Sequence, residues 1–186
     1  MEITIRASKK PFDLSDMERM RYSLLGRFSY YMSAFEYDCD EFIFKVAEHN
    51  PSFIVEHKFR APFNQSEART RFIVLAFDEI AALKALSGIR YGENEQTMKD
   101  VLEGIWHHRN NLTHGRMIGS HGGEKGVSFK FARWIRGEKK EQQFHRIQYE
   151  YDQSLLFNII DAATFVSGWL REGINILEES VTKHES

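Results

Sequence analysis

The chain has one cysteine, three prolines and no long apolar run. With Cys39 alone, neither an intrachain disulfide framework nor a cysteine-based zinc cluster is possible, so the 186 residues must rest on an apolar core. A reducing, cytoplasmic setting is expected. Nothing approaches the roughly 18 uninterrupted apolar residues of a membrane span. The opening Met1-Glu2-Ile3-Thr4-Ile5-Arg6 also lacks an apolar signal core, so no membrane association is expected. Charge of one sign is missing too. Lys and Arg number 25 against 27 Asp and Glu, a net charge of −2, and any case for a polyanionic partner must come from local charge. What is plentiful is phenylalanine, 15 residues of it, within a hydrophobic fraction of 42% that suits one folded domain spanning 1–186.

Helical spacing dominates the pattern. Ser15-Asp16 is an N-cap signal after Pro11, and a first helix is expected to run to about Glu48, where Asn50-Pro51 ends it. Met17, Met20, Leu24, Phe28, Tyr31, Phe35, Phe42 and Val46 recur at steps near three and four and form its apolar face; Gly26 weakens it locally. A connector over 51–65, extended at Phe53-Ile54-Val55, leads to a second helix from Ser66-Glu67 to Leu86, stopped by Gly88. A third is expected from about Glu95 to Leu112, with Gly115 as a left-handed cap. The glycine-rich 119–126 cannot be helical. After it the period drops to two, with Val127, Phe129, Phe131 and Ile135, then Ile147, Tyr149 and Tyr151, alternating with mostly polar neighbours as in a β-hairpin. A last helix is expected over about Gln153 to Glu179. The expected fold is mainly α: a four-helix up-and-down bundle with a β-hairpin over 127–151 between helices three and four. An N-terminal extension over 1–14 has room for a short strand.

The densest chemistry is in His107-His108-Arg109-Asn110-Asn111-Leu112-Thr113-His114-Gly115. A fixed guanidinium, an amide and an imidazole lie within one and a half helical turns. These are the groups that metal-free cleavage of RNA requires: a proton carrier, a cation for the phosphate and a donor to hold it. Asn110 and His114 stand at i and i+4 on one face. Arg109 and His114, five residues apart, diverge by about 140° on a regular helix. Either Arg109 reaches round, or the helix unwinds before Gly115, or a second subunit completes the site.

Arg109-Asn110-x-x-x-His114 resembles the Arg-x4–6-His motif of the HEPN (higher eukaryotes and prokaryotes nucleotide-binding) superfamily, in which a polar residue usually follows the arginine. The motif's place near the end of the third helix of a bundle fits that family. The resemblance implies a homodimeric, metal-independent endoribonuclease without cofactor, of the kind found in toxin–antitoxin, phage-defence and RNA-processing systems. Its implied partners are RNA, a second copy, and an antitoxin or nucleotidyltransferase-type protein. In the implied mechanism the RNA 2′-OH attacks the adjacent phosphate, leaving a 2′,3′-cyclic phosphate and a 5′-OH. His114 acts as general base or acid, Arg109 steadies charge on the phosphorane-like transition state, and Asn110 orients one of them or touches phosphate. Two other readings stay open: a non-catalytic HEPN-like module binding a protein, RNA or nucleotide, and a structural bundle in which Arg109 and His114 only cap and bridge.

Other groups carry weaker signals. Arg116 to His121 repeats the arginine–histidine spacing without the polar residue, in the glycine segment. Glu103 and His107 have ligand spacing, but no second such pair completes a carboxylate-bridged site, so no metal is expected. Glu36, Asp38, Asp40 and Glu41 read as a solvated acidic face; Glu36 could pair with Arg109 across the bundle, but nothing in the sequence shows that it does. Between Lys125 and Arg146 the hairpin concentrates seven cations against two acids. Lys130, Trp134 and Arg136 are expected on its outer face and, with Arg116, as RNA contacts through phosphate pairing and base stacking. The competing role of that face is a charged edge that discourages strand aggregation.

Overall fold

The computed structural model describes residues 15–59, 65–123, 126–136 and 144–182, and is mainly helical with two small antiparallel sheets. The expected extension over 1–14 and the turn over 137–142 lie outside the described residues, as do the side chains of Met17, Ile135 and Arg136.

Helix α1 spans Asp16–His49 and starts where the sequence places it. Ser15 Oγ accepts the Glu18 N–H at 3.3 Å, and the Glu18 carboxylate accepts the Ser15 N–H at 2.9 Å, a reciprocal cap. Leu24, Phe28, Met32, Phe35, Cys39, Phe42 and Val46 form its buried face; Met20 is exposed and Tyr31 half-buried, both expected in the core. Pro51 ends α1 and opens α2, Pro51–Glu56, where an extended segment was expected. A proline at the first helical position costs no hydrogen bond, and the turn carries Phe53 into edge contact with Phe72. Burial of that ring outweighs the β preference of Ile54-Val55.

Helix α3, Ser66–Glu79, is shorter than the expected second helix. Ile80 is extended, and the chain restarts as a 3-10 turn over Ala81–Leu83 and a short α4, Lys84–Ser87. The break turns Leu83 fully into the core and offers the Leu86 carbonyl to Trp169 Nε1 at 3.1 Å. Strands β1 (Arg90–Tyr91) and β2 (Gln96–Thr97) pair around a tight turn and deliver Thr97 as N-cap of α5, Met98–His114. Thus α5 begins later than expected and carries the whole motif to its last residue.

Gly115 is extended (φ −84°, ψ 142°), not left-handed, because the chain runs straight into β3, Arg116–Gly123. The segment expected as a glycine loop is therefore a strand. It pairs with β4, Gly126–Arg136, which pairs with β5, Phe144–Asp152, in the order β3-β4-β5. Along β4, Val127, Phe129 and Phe131 are buried while Lys130 and Trp134 are exposed, as the period of two requires. Helix α6, Gln153–Thr182, packs most extensively along α1. Phe42, Phe77 and Trp169 stack where α1, α3 and α6 meet. Among the described residues no helix is long and apolar enough to cross a membrane.

The acidic run of α1 is not a solvated face. Glu36 pairs with Arg109 on α5, Asp40 with Arg69 on α3, and Asp38, only 3% exposed, with Arg171 on α6 at 3.0 and 3.1 Å. Alternation along the helix aims Glu36 and Asp40 one way and Asp38 the other. Three carboxylates thereby latch α1 to three different helices.

Candidate phosphate-binding cleft

An open cleft of about 450 Å³ lies where α1, α3 and α5 meet, lined by Glu36, Gln65, Ser66, Arg69, Trp106, Arg109, Asn110 and His114. The structure brings all three residues of the motif to one concavity within a single chain. The helix stays regular through His114, so long side chains span the angular gap. His114 is exposed at the end of α5.

Arg109 is held tightly. Its Nε donates to Glu36 Oε1 at 2.5 Å and one terminal nitrogen to Glu36 Oε2 at 3.1 Å, a bidentate pair; the other donates to Asn110 Oδ1 at 3.2 Å. Of the five N–H donors of a guanidinium, these three are occupied by described residues. Asn110 therefore orients Arg109 with its carbonyl and keeps its NH₂ for something else.

Arg69, Gln65 and Ser66 were not singled out from the sequence, and Arg69 is the chief addition. It bonds Asp40 at 2.9 Å and lies 5.5 Å over the Trp106 ring, which fixes a second guanidinium at the cleft. Ser66 and Gln65 mark the N-terminus of α3, which has no side-chain cap among the described residues. Uncapped N–H groups at a helix start attract anions. No local signal announced this, because α3 and α5 meet only in the tertiary fold.

His107 and His108 serve elsewhere. Buried Asn111 accepts from Arg133 at 3.1 Å, so its amide donates to His107 Nε2 at 2.9 Å. Glu103 stands 3.8 Å from Lys99, one turn back along α5. Among the described residues no group of three or more His, Cys, Asp or Glu is arranged to hold a metal. His108 meets the Tyr151 hydroxyl at 3.2 Å beneath the sheet. Burial pushes the Tyr151 phenol up, so it keeps its proton and donates. Burial, then the neighbouring His107, pushes His108 below its ordinary 6.5 and keeps it neutral. A histidine depressed by folding stabilises the protein above its unfolded value, and that stability is lost as pH falls through the folded one. Wild type should therefore lose more unfolding free energy than His108→Gln between about pH 7.5 and pH 5, as measured by urea denaturation. Parallel losses in the two proteins would refute the assignment.

On the outer face of the sheet, Trp134 is 67% exposed, with Arg146 directly across on β5. Arg116 stands opposite Ala132, one step along the same face. Lys130 lies 3.8 Å from Glu150, which also meets His121 at 3.5 Å, so the charge expected of Lys130 is partly neutralised. Arg116 and Arg146 have no ion pair among the described residues. The cationic surface beside Trp134 is thus made by Arg116 and Arg146, the latter visible in the sequence only as one more hairpin cation. None of these residues lines the cleft. Comparison with protein-family models, with curated proteins and with solved structures finds no match to this chain.

Proposed function

We propose that the chain is a HEPN-like, metal-independent RNA endonuclease whose active site is the cleft of Arg109, Asn110 and His114. In this reading α1, α3, α5 and α6 are the bundle and the β3-β4-β5 sheet is its insertion. One observation carries the proposal: two positioned guanidiniums, an exposed imidazole and an uncapped helix N-terminus border a single cleft. That set suits a phosphodiester. Arg109 and Arg69 take the charge gathering on the phosphate oxygens, the α3 N–H groups help hold them, and His114 moves the proton. Asn110 keeps the motif arginine in place. Trp134, Arg116 and Arg146 offer the strand a stacking surface outside the cleft.

A second reading is favoured by the Glu36–Arg109 pair. A guanidinium already neutralised by a bidentate carboxylate has less charge to offer a transition state, as in a non-catalytic module. Cleavage of a mixed single-stranded and structured RNA pool in EDTA separates the two. Wild type is expected to yield 2′,3′-cyclic phosphate ends, and His114→Ala to lose roughly 10²- to 10⁴-fold in rate, the range of a general acid or base. RNA binding without cutting by either protein assigns the cleft to the binding module. Cutting that survives in the variant removes His114 from the site.

A further inference from the structure

A second cavity, of about 340 Å³, lies between the turn joining β1 to β2, the first half of α5 and the start of α6, and its size suits a small-molecule site. It shares no lining residue with the cleft: α5 gives Asp100, Val101, Gly104, Ile105 and His108 to the one, and Trp106, Arg109, Asn110 and His114 to the other. Val101, Ile105 and Ile159 are buried and make an apolar floor. Gly104 opens that floor. Nothing lies within 4 Å of where its Cβ would stand, so packing inside the chain gives no reason for a residue that weakens a helix interior. The space a side chain would take belongs to the cavity.

The polar groups are sorted by depth. His108 is half-buried, and its tautomer is set from behind: the Tyr151 hydroxyl donates to Nδ1 at 3.2 Å, so Nε2 carries the ring proton and is the donor left for a ligand. Glu93 and Asp100, at the mouth, are exposed. The Thr97 hydroxyl steadies Asp100 at 2.6 Å, and Glu93 has no ion pair among the described residues. Tyr91 closes one side, its ring 5.1 Å from that of Phe165. Burial, then the Asp161 carboxylate, pushes the Tyr91 phenol up, so a third acid acts on the same space. Among the described residues no Lys or Arg lines the cavity.

We propose that this cavity binds a small organic cation, an ammonium joined through a short apolar body to an oxygen that accepts a hydrogen bond. The ammonium sits at the mouth with Glu93 and Asp100, near the face of the Tyr91 ring. The body lies on Val101, Ile105 and Ile159 in the space that Gly104 leaves. The oxygen accepts from His108 Nε2. An anion is disfavoured, because a phosphate or carboxylate would meet two acids and a single neutral donor. The cavity therefore selects the opposite charge from the cleft, and its test is read by binding, independently of any cleavage.

Tyramine, with its ammonium, ring and phenol oxygen, is a probe of that class; para-ethylphenol lacks the charge and para-hydroxyphenylpropionate reverses it. In amide NMR spectra of the full chain, tyramine is expected to shift the Val101 and His108 signals saturably. It should bind roughly fivefold tighter than para-ethylphenol, as much as exposed carboxylates supply, and the propionate should not saturate. Gly104→Leu fills the floor and should weaken tyramine about tenfold or more by steric exclusion, while keeping the far-UV circular dichroism of wild type. Tyramine that fails to saturate in the millimolar range overturns the proposal. So do a propionate that binds as well as tyramine and tyramine binding unmoved by Gly104→Leu. Should Gly104→Leu lose helicity, Glu93→Lys in the exposed turn decides: it should abolish the preference for tyramine over para-ethylphenol, and a preference that survives removes the ammonium from this mouth.

Discussion

Replacing Arg109 with alanine is expected to lower RNA cleavage by a factor on the order of 10³ or more, as when a cation facing transition-state phosphoryl charge is lost. The melting temperature should fall as well. Glu36 is only 26% exposed at its side chain and Arg109 24%, so alanine leaves a largely buried carboxylate without its bidentate partner. Arg109→Lys should not rescue activity, because an ammonium cannot make the two parallel bonds that hold the guanidinium between Glu36 and Asn110. Single-turnover rates of the three proteins in EDTA, set beside their thermal melts, supply both readouts. Cleavage by Arg109→Ala within tenfold of wild type would show that the arginine is a strut between α1 and α5. Glu36→Gln refines the result. If the carboxylate positions the guanidinium, the variant loses rate; if it only neutralises it, the variant gains.

The largest stability effect is expected at the glycine after the motif. Gly115→Ala should destabilise the protein by about 2–3 kcal/mol, at the upper end of what an overpacked methyl costs. A Cβ there would stand 2.3 Å from the Asn111 carbonyl oxygen and 3.3 Å from Phe131 Cβ. Neither neighbour yields cheaply: one is helix backbone, the other the root of a buried side chain on β4. Gly115→Asn tests the reason. In a left-handed cap asparagine is nearly as good as glycine, but here the φ of −84° is open to any residue and only the close approach forbids a side chain. Asparagine should therefore be at least as harmful as alanine in chemical denaturation. A well-tolerated asparagine would mean that the end of α5 relaxes into the cap its sequence suggested.

Local chemistry accounts for what was legible in advance. The start of α1 is written in Ser15-Asp16, its end in Asn50-Pro51, and the period of two along β4 and β5 needs only nearest neighbours to turn alternate residues inward. The motif was likewise readable as a set of groups, since Arg109, Asn110 and His114 lie on one short piece of helix. Where distant burial outbids local preference, the sequence misled. Phe53 reaching Phe72 made a helix of an extended-looking segment, and Leu83 entering the core broke a helix that periodicity carried to Leu86. The glycine segment reads as a loop until β4 offers it partners, because a strand's hydrogen bonds come from elsewhere in the chain.

By itself, then, the sequence determined a mainly helical chain held by an apolar core, and the groups available for chemistry at the end of α5. Only the tertiary structure decided which groups meet. Arg69 and the start of α3 lie about forty residues before the motif and join its cleft through packing. Glu36, Asp40 and Asp38 of α1 each find an arginine on a different helix. Spacing along a helix fixes which way a side chain points, but what stands opposite depends on how the helices pack.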